Sequence, residues 1–229
     1  MIGQVPRSIY EEGCIAAHAL DLLGDRWALL VIRELMLGAK RFGLIRAGLP
    51  GVSASVLTQR LEGLEAGGLL RRVALADPAG VQAYELTDQG LGVWPVLAAL
   101  CAVGARLPGH DPTRFISPTA LMLSMRVTAD AGRAGDGAIR AGFDMGRESF
   151  TGRVARGGWQ VARGAPEGDL RFEGTANALA AAVYGPRPLA ELVAAGAIGF
   201  DGDPALGQRF VDLFSLRIRP PGPVWSTGG

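Results

Sequence analysis

The stretch Leu49 to Leu70, "LPGVSASVLTQRLEGLEAGGLL", decides how the first half of the chain is read. Leu57, Leu61 and Leu64 recur at i, i+4 and i+7, so they share one face of a helix. At about 100° per residue, Ser55, Gln59 and Glu62 fall on the opposite face, with Thr58 and Arg60 on its flanks. Pro50 fixes its own φ and Gly51 frees the next residue, which makes a turn into this helix. Ser53 suits its N-cap, and Gly67-Gly68 suits its end, so the helix is expected from Ala54 to about Ala66. Periodicity alone leaves two readings: a solvated surface helix, or one that presents its polar edge to another molecule.

The flanking sequence narrows the choice. Upstream, Gly13 to Gly24 reads as a helix, and Asp25 sits where an N-cap belongs for a second, strongly apolar helix, "RWALLVIRELMLG". Trp27, Leu30, Val31 and Leu35 are its core candidates, and "KRFGLIRAG" forms a short third helix. Downstream, "LLRRVAL" and "VQAYELT" read as two strands around the turn "ADPAG". Thr87 suits the cap of a following helix, "DQGLGVWPVLAALCAVGARL", in which Pro95 predicts a kink or a late start. Helix, short helix, turn, helix, glycine pair and charged hairpin is the order of a winged helix-turn-helix.

Charge agrees with that order. The 229 residues carry a net charge of only +1, and of 23 basic residues Lys40 alone is lysine. Within residues 40 to 72, however, Lys40, Arg41, Arg46, Arg60, Arg71 and Arg72 face only Glu62 and Glu65, a local balance of +4. A polyanion-binding face needs such a segment. In a helix-turn-helix the second helix enters the major groove of DNA. Ser55, Thr58 and Gln59 are therefore the candidates for base edges, Ser53 for the cap or an adjacent contact, and Arg41, Arg60, Arg71 and Arg72 for phosphates.

These features together resemble the HxlR-type bacterial transcriptional regulators over about residues 14–107. The resemblance rests on Cys14, "LLGDRW" at Leu22 to Trp27, "RFGLIRAGLPGVS" at Arg41 to Ser53, "VLTQRLEGLEAGGL" at Val56 to Leu69, and "YELTDQG" at Tyr84 to Gly90. It implies a homodimer on an inverted-repeat operator in double-stranded DNA, with N-terminal and post-wing helices at the interface. Trp94, Val96, Leu97, Leu100 and Val103 are available for that surface or for packing within one subunit. Some family members use a matching cysteine as a redox or electrophile sensor, which makes Cys14 the candidate sensor here. Cys14 and His18 share a helix face but lack further ligands, so no metal site is expected.

Other classes find little support. The sequence has no nucleophile elbow, P-loop, dinucleotide fingerprint or zinc-protease motif, so neither an enzyme nor a cofactor is expected. No run of 18 uncharged apolar residues or leader-like segment occurs, which predicts a cytoplasmic protein without membrane contact. Two cysteines do not make a disulfide framework.

Pro112 and Pro118 bound a stretch of weak periodicity, placed as a linker over residues 111–118 between domains at 1–110 and 119–219, with a tail at 220–229. "TALMLSMRV" is too short to assign to helix or strand. "AIRAGFDMG", "ESFTGRVARGG", "WQVARG" and "DLRFEGT" predict an antiparallel meander, and "ANALAAAVYG", "PLAELVAAG" and "PALGQRFVDLFSL" predict helices. The fold class is thus α+β in two domains. Residues from about Gly137 to Leu216 resemble SCP2-like sterol-carrier domains, which hold hydrophobic molecules between an antiparallel sheet and covering helices. That resemblance makes Phe143, Trp159, Phe172, Tyr184, Phe210 and Phe214 candidate ligand-binding residues and implies a hydrophobic small-molecule effector. Two alternatives stay open: a ligand-free oligomerisation domain behind the same DNA-binding head, or a lipid carrier whose DNA-binding half is vestigial.

Overall fold

The structure of the protein, a computed structural model, describes residues 10–76, 79–135 and 137–217. The chain divides into two compact units, Met1–Leu97 and Ala98–Gly229. The first contains α1 (Ile15–Leu23), α2 (Ala28–Leu35), α3 (Phe42–Ala47), α4 (Ala54–Ala66), the hairpin β1 (Leu70–Ala74) and β2 (Gln82–Leu86), α5 (Asp88–Leu91) and the start of α6 (Trp94–Gly104). Helix α4 is the helix of the Leu49–Leu70 stretch. Ser53 Oγ accepts a bond from the Val56 N–H at 3.2 Å, which caps it. At its other end Gly68 takes a φ of +72°, a conformation that favours glycine. Leu57, Leu61 and Leu64 are at most 1% exposed and join Val31, Ile32, Leu35 and Ile45 in the core.

Two local expectations are corrected by tertiary partners. Asp25 does not cap α2: Trp27 holds the N-cap position, and the Asp25 carboxylate pairs with Arg60 of α4 instead. Lys40 does not open the short helix, because Arg41 is the N-cap of α3. Its backbone makes an antiparallel bridge to β2, donating to the Tyr84 carbonyl at 3.0 Å and accepting from the Tyr84 N–H at 2.9 Å.

The hairpin pairs Arg71 with Glu85 and Arg72 with Tyr84. Asp77 and Pro78 of its expected turn lie outside the described residues. Thr87 caps α5 by accepting from the Gly90 N–H at 3.3 Å, and its hydroxyl donates to the Gly68 carbonyl at 2.6 Å. Pro95 falls in the first turn of α6, where its missing N–H breaks no helical bond, so the late start applies. Val93 and Leu97 pack into the core of the first unit, and α6 continues from there into the second.

The second unit begins with the C-terminal part of α6 and continues with α7 (Pro118–Thr128), a 3-10 turn at Ala131–Ala134, β3 (Ile139–Asp144), β4 (Ser149–Ala155), β5 (Gly158–Arg163) and β6 (Leu170–Glu173). Then come α8 (Ala176–Tyr184), α9 (Leu189–Ala194), β7 (Gly199–Asp201) and α10 (Pro204–Val211). The ambiguous "TALMLSMRV" is helix α7, capped by the Ser117 hydroxyl, which accepts from the Ala120 N–H at 3.0 Å. The segment placed as a linker is tied to α8. Asn177 Nδ2 donates to the Thr113 and Arg114 carbonyls, and its Oδ1 accepts from the Ile116 N–H.

The five-stranded sheet has the order β5-β4-β3-β6-β7. Strands β3, β4 and β5 form the expected antiparallel meander, but β6 pairs parallel with β3 and β7 antiparallel with β6, so the sheet is mixed rather than antiparallel. The cause is a short crossover after β5. It runs over the sheet face at Thr151, whose hydroxyl donates to the Ala165 carbonyl at 2.6 Å and accepts from the Glu167 N–H at 3.1 Å. Gly142 makes room for it, since a β-carbon there would collide with Pro166. The opposite face carries Ile139, Phe143, Phe150, Val154, Trp159 and Phe172, none more than 4% exposed. Phe210 of α10 packs on Phe143, Trp159 and Phe172, and the Trp159 indole donates to the Met122 carbonyl of α7 at 3.2 Å.

Candidate nucleic-acid interface

Burying one side of α4 fixes what the other side presents. With the three leucines inside, Ser55, Thr58 and Gln59 are exposed along the outward edge. The Ser53 and Ser55 hydroxyl oxygens lie 3.1 Å apart, so the cap residue also steadies the first polar side chain of that edge. Beside it, the hairpin holds Arg71 and Arg72 outward.

The basic candidates have individual environments. Arg71 Nε and Nη2 both donate to Glu85 Oε2, at 3.1 and 2.8 Å. Arg72 Nε pairs with Glu65 at 3.1 Å, and its guanidinium lies 5.9 Å from the centre of the Tyr84 ring. Arg60 pairs with Asp25. Arg41 is exposed, as is Arg46 in the last turn of α3; among the described residues neither is ion-paired. Exposed pairs such as those of Arg71 and Arg72 are worth about 0–1 kcal/mol, so a phosphate can replace their carboxylates at little cost.

Lys40 departs from the charge reading. Its Nζ lies 2.8 Å from Glu34 Oε2, with both side chains fully buried, and Arg33 Nη2 contacts Glu34 Oε1 at 2.9 Å. Its charge is neutralised inside the core and adds nothing to the surface field. Gly48 completes this arrangement, because a β-carbon there would collide with the Glu34 carboxylate. Within residues 40 to 72 the outward positive charge therefore comes from arginines alone.

With this geometry, comparison with known proteins is decisive for the family. The HxlR-like helix-turn-helix profile matches residues 22–111. The uncharacterized HTH-type transcriptional regulator sll1512 of Synechocystis is 38% identical over 98 residues, covering 42% of this chain and 73% of its own. The uncharacterized HTH-type transcriptional regulator YvaP of Bacillus subtilis is 37% identical over 82 residues, covering 36% and 76%. The chain belongs to the HxlR-like helix-turn-helix family. Among solved structures, the reduced form of the transcriptional regulator YodB from B. subtilis is 32% identical with a TM-score of 0.38, covering 44% of this chain and all of that one. Like the HxlR-like relatives it matches, the protein is a transcriptional regulator of the helix-turn-helix type.

The family match stops at residue 111, and the ligand candidates lie beyond it. Phe143, Trp159, Phe172, Phe210 and Phe214 pack against one another, with ring centroids 5.2 to 6.1 Å apart. They fill the space between sheet and helices themselves. Tyr184 and Phe214 also line a cleft of about 720 Å³ at the end of α8 and α10. The Tyr184 hydroxyl lies 2.8 Å from Ser124 Oγ and 3.0 Å from Thr128 Oγ1, and burial pushes its pKa up to about 12. It stays a neutral hydrogen-bonding group.

Cys14 is exposed at the N-cap of α1, and His18, on the same face, is exposed too. Among the described residues no three His, Cys, Asp or Glu side chains come together as metal ligands, and no helix is long and apolar enough to cross a membrane.

Proposed function

We propose that the protein is a dimeric regulator that reads an inverted-repeat operator with α4 and responds to a small-molecule effector held by its second unit. The observation that carries the DNA reading is the division of α4 between three fully buried leucines and the exposed edge of Ser55, Thr58 and Gln59. Gln59 has the chemistry to pair with an adenine edge, and Ser55 and Thr58 serve several bases or the adjoining backbone. Arg41, Arg71 and Arg72 take phosphates, and Arg60 does so by exchanging Asp25 for one. Two-fold symmetry in the protein requires half-sites about one helical turn, or a multiple of it, apart.

The dimer face is assigned to α6. Val96, Leu100 and Val103 follow i, i+4, i+7 spacing and are 43–49% exposed, so they leave an apolar stripe unburied in one subunit. In the second unit, a sterol-carrier-like effector domain is the favoured reading, supported by a sheet whose apolar face is covered by helices, and the cleft at the end of α8 and α10 is where an effector would enter. Exposed Cys14 offers a separate thiol input, which Cys14→Ser removes.

Selecting a binding sequence from a randomised duplex pool, then titrating it at several salt concentrations, tests this function. Binding should weaken with salt, and Arg71→Ala should reduce the log–log slope by about 0.9. Gln59→Ala should lose about 1–3 kcal/mol of discrimination at one base position per half-site. Absence of salt-dependent binding to any selected sequence overturns the reading.

A further inference from the structure

The cleft in the second unit differs in place and chemistry from an apolar carrier pocket. No strand residue lines it: its walls are the end of α8 from Ala182 to Tyr184, the 185–188 loop, one side of α10, residues 214–217, and Arg133. Three arginines, Arg133, Arg187 and Arg217, line it, and Asp212 is the one acidic residue among its lining. Val211, Phe214, Pro186 and Pro188 provide apolar surface beside them. We infer that this cleft binds an organic anion, a carboxylate or phosphate head group on a short apolar body. It is the effector site proposed above, so its regulatory consequence rests on that reading.

Each wall is already held in place. Gln208 spans one side, with its Oε1 accepting from the Leu189 N–H at 2.8 Å and its Nε2 donating to Asp212 Oδ1 at 2.9 Å. The other side is fixed by the bridge between Ala129 and Phe214 and by the Ser215 N–H, which donates to the Thr128 carbonyl at 3.2 Å. Arg133 Nη1 donates to the Asp212 carbonyl at 3.1 Å, which leaves its other N–H groups for a ligand. Arg187 is half-exposed, and its contact with Glu191 is long, at 3.4 Å. Among the described residues the Arg217 guanidinium has no ion pair. Guanidinium groups bind carboxylate and phosphate oxygens in a planar, two-pronged geometry, and a preformed site limits the ordering cost. A neutral lipid would leave these groups unmatched.

Calorimetric titration of the full chain with 4-phenylbutyrate, octyl phosphate and the neutral 4-phenylbutanamide tests the assignment. At least one anion should bind about tenfold or more tightly than the amide, as charge-assisted hydrogen bonds predict. Arg187→Gln and Arg217→Gln should each reduce that preference with the melting temperature unchanged. Equal binding of amide and anions overturns the anion assignment while leaving an effector site. Lack of binding by all three probes overturns it, as does anion binding undiminished in both variants. The effector reading fails separately, if DNA affinity does not respond to an extract of cellular small molecules.

Discussion

Lys40 shows how far a single residue's meaning depends on its partners. In the sequence it is one of six basic residues in a local run; in the fold it is a buried strut between Glu34 of α2 and the β2 backbone at Tyr84. Removing Lys40 leaves the buried Glu34 carboxylate paired with Arg33 but without its Lys40 bond. Lys40→Met should therefore destabilise the protein by about 1–3 kcal/mol in chemical denaturation, and adding Glu34→Leu should restore much of the loss. If the single variant is as stable as the parent, the pair does not act as a strut. Ser53 was legible because a cap acts over three residues. Arg60 was not, since Asp25 lies 35 positions away in sequence and only packing of α4 brings it near.

At the scale of elements, α4 and the crossover before β6 sit at opposite ends of legibility. The bounds of α4 follow from local signals: a turn, a capping serine, three leucines in register and a glycine pair. Parallel pairing of β6 with β3 follows from none of these, because strand alternation states which face is buried and not which neighbour is chosen. Gly142 is the residue that admits the crossover. Gly142→Ala forces the Pro166 backbone away and should cost about 1–3 kcal/mol, as overpacking does, in unfolding experiments on the full chain. An unchanged stability would show that the crossover yields freely. The aromatic candidates tell a similar story: the resemblance made them ligand-binding candidates, yet sequence did not separate rings that pack on each other from rings that meet a ligand.

Over the whole molecule, function depends on surfaces that one chain leaves uncovered. Val96, Leu100 and Val103 form an exposed apolar stripe, the face assigned above to the proposed dimer. Leu100→Glu places a charge in that stripe, so sedimentation should shift from dimer to monomer at micromolar concentration and operator affinity should fall with it. A variant that remains dimeric places the interface elsewhere. Two-fold assembly is what would turn a single reading edge into recognition of two half-sites.

By itself, the sequence determined the helix-turn-helix order, the division of α4 into a leucine face and a polar edge, the caps at Ser53 and Thr87, and the α+β character of the second unit. These features arise from interactions within a few residues, which periodicity and turn chemistry record directly. Tertiary structure alone decided that Lys40 is buried, that Arg60 meets Asp25, that β6 runs parallel to β3, and that three arginines join Tyr184 and Phe214 in lining one cleft. Each of these depends on groups far apart in the chain. Their energies exist only after the backbone has closed those distances.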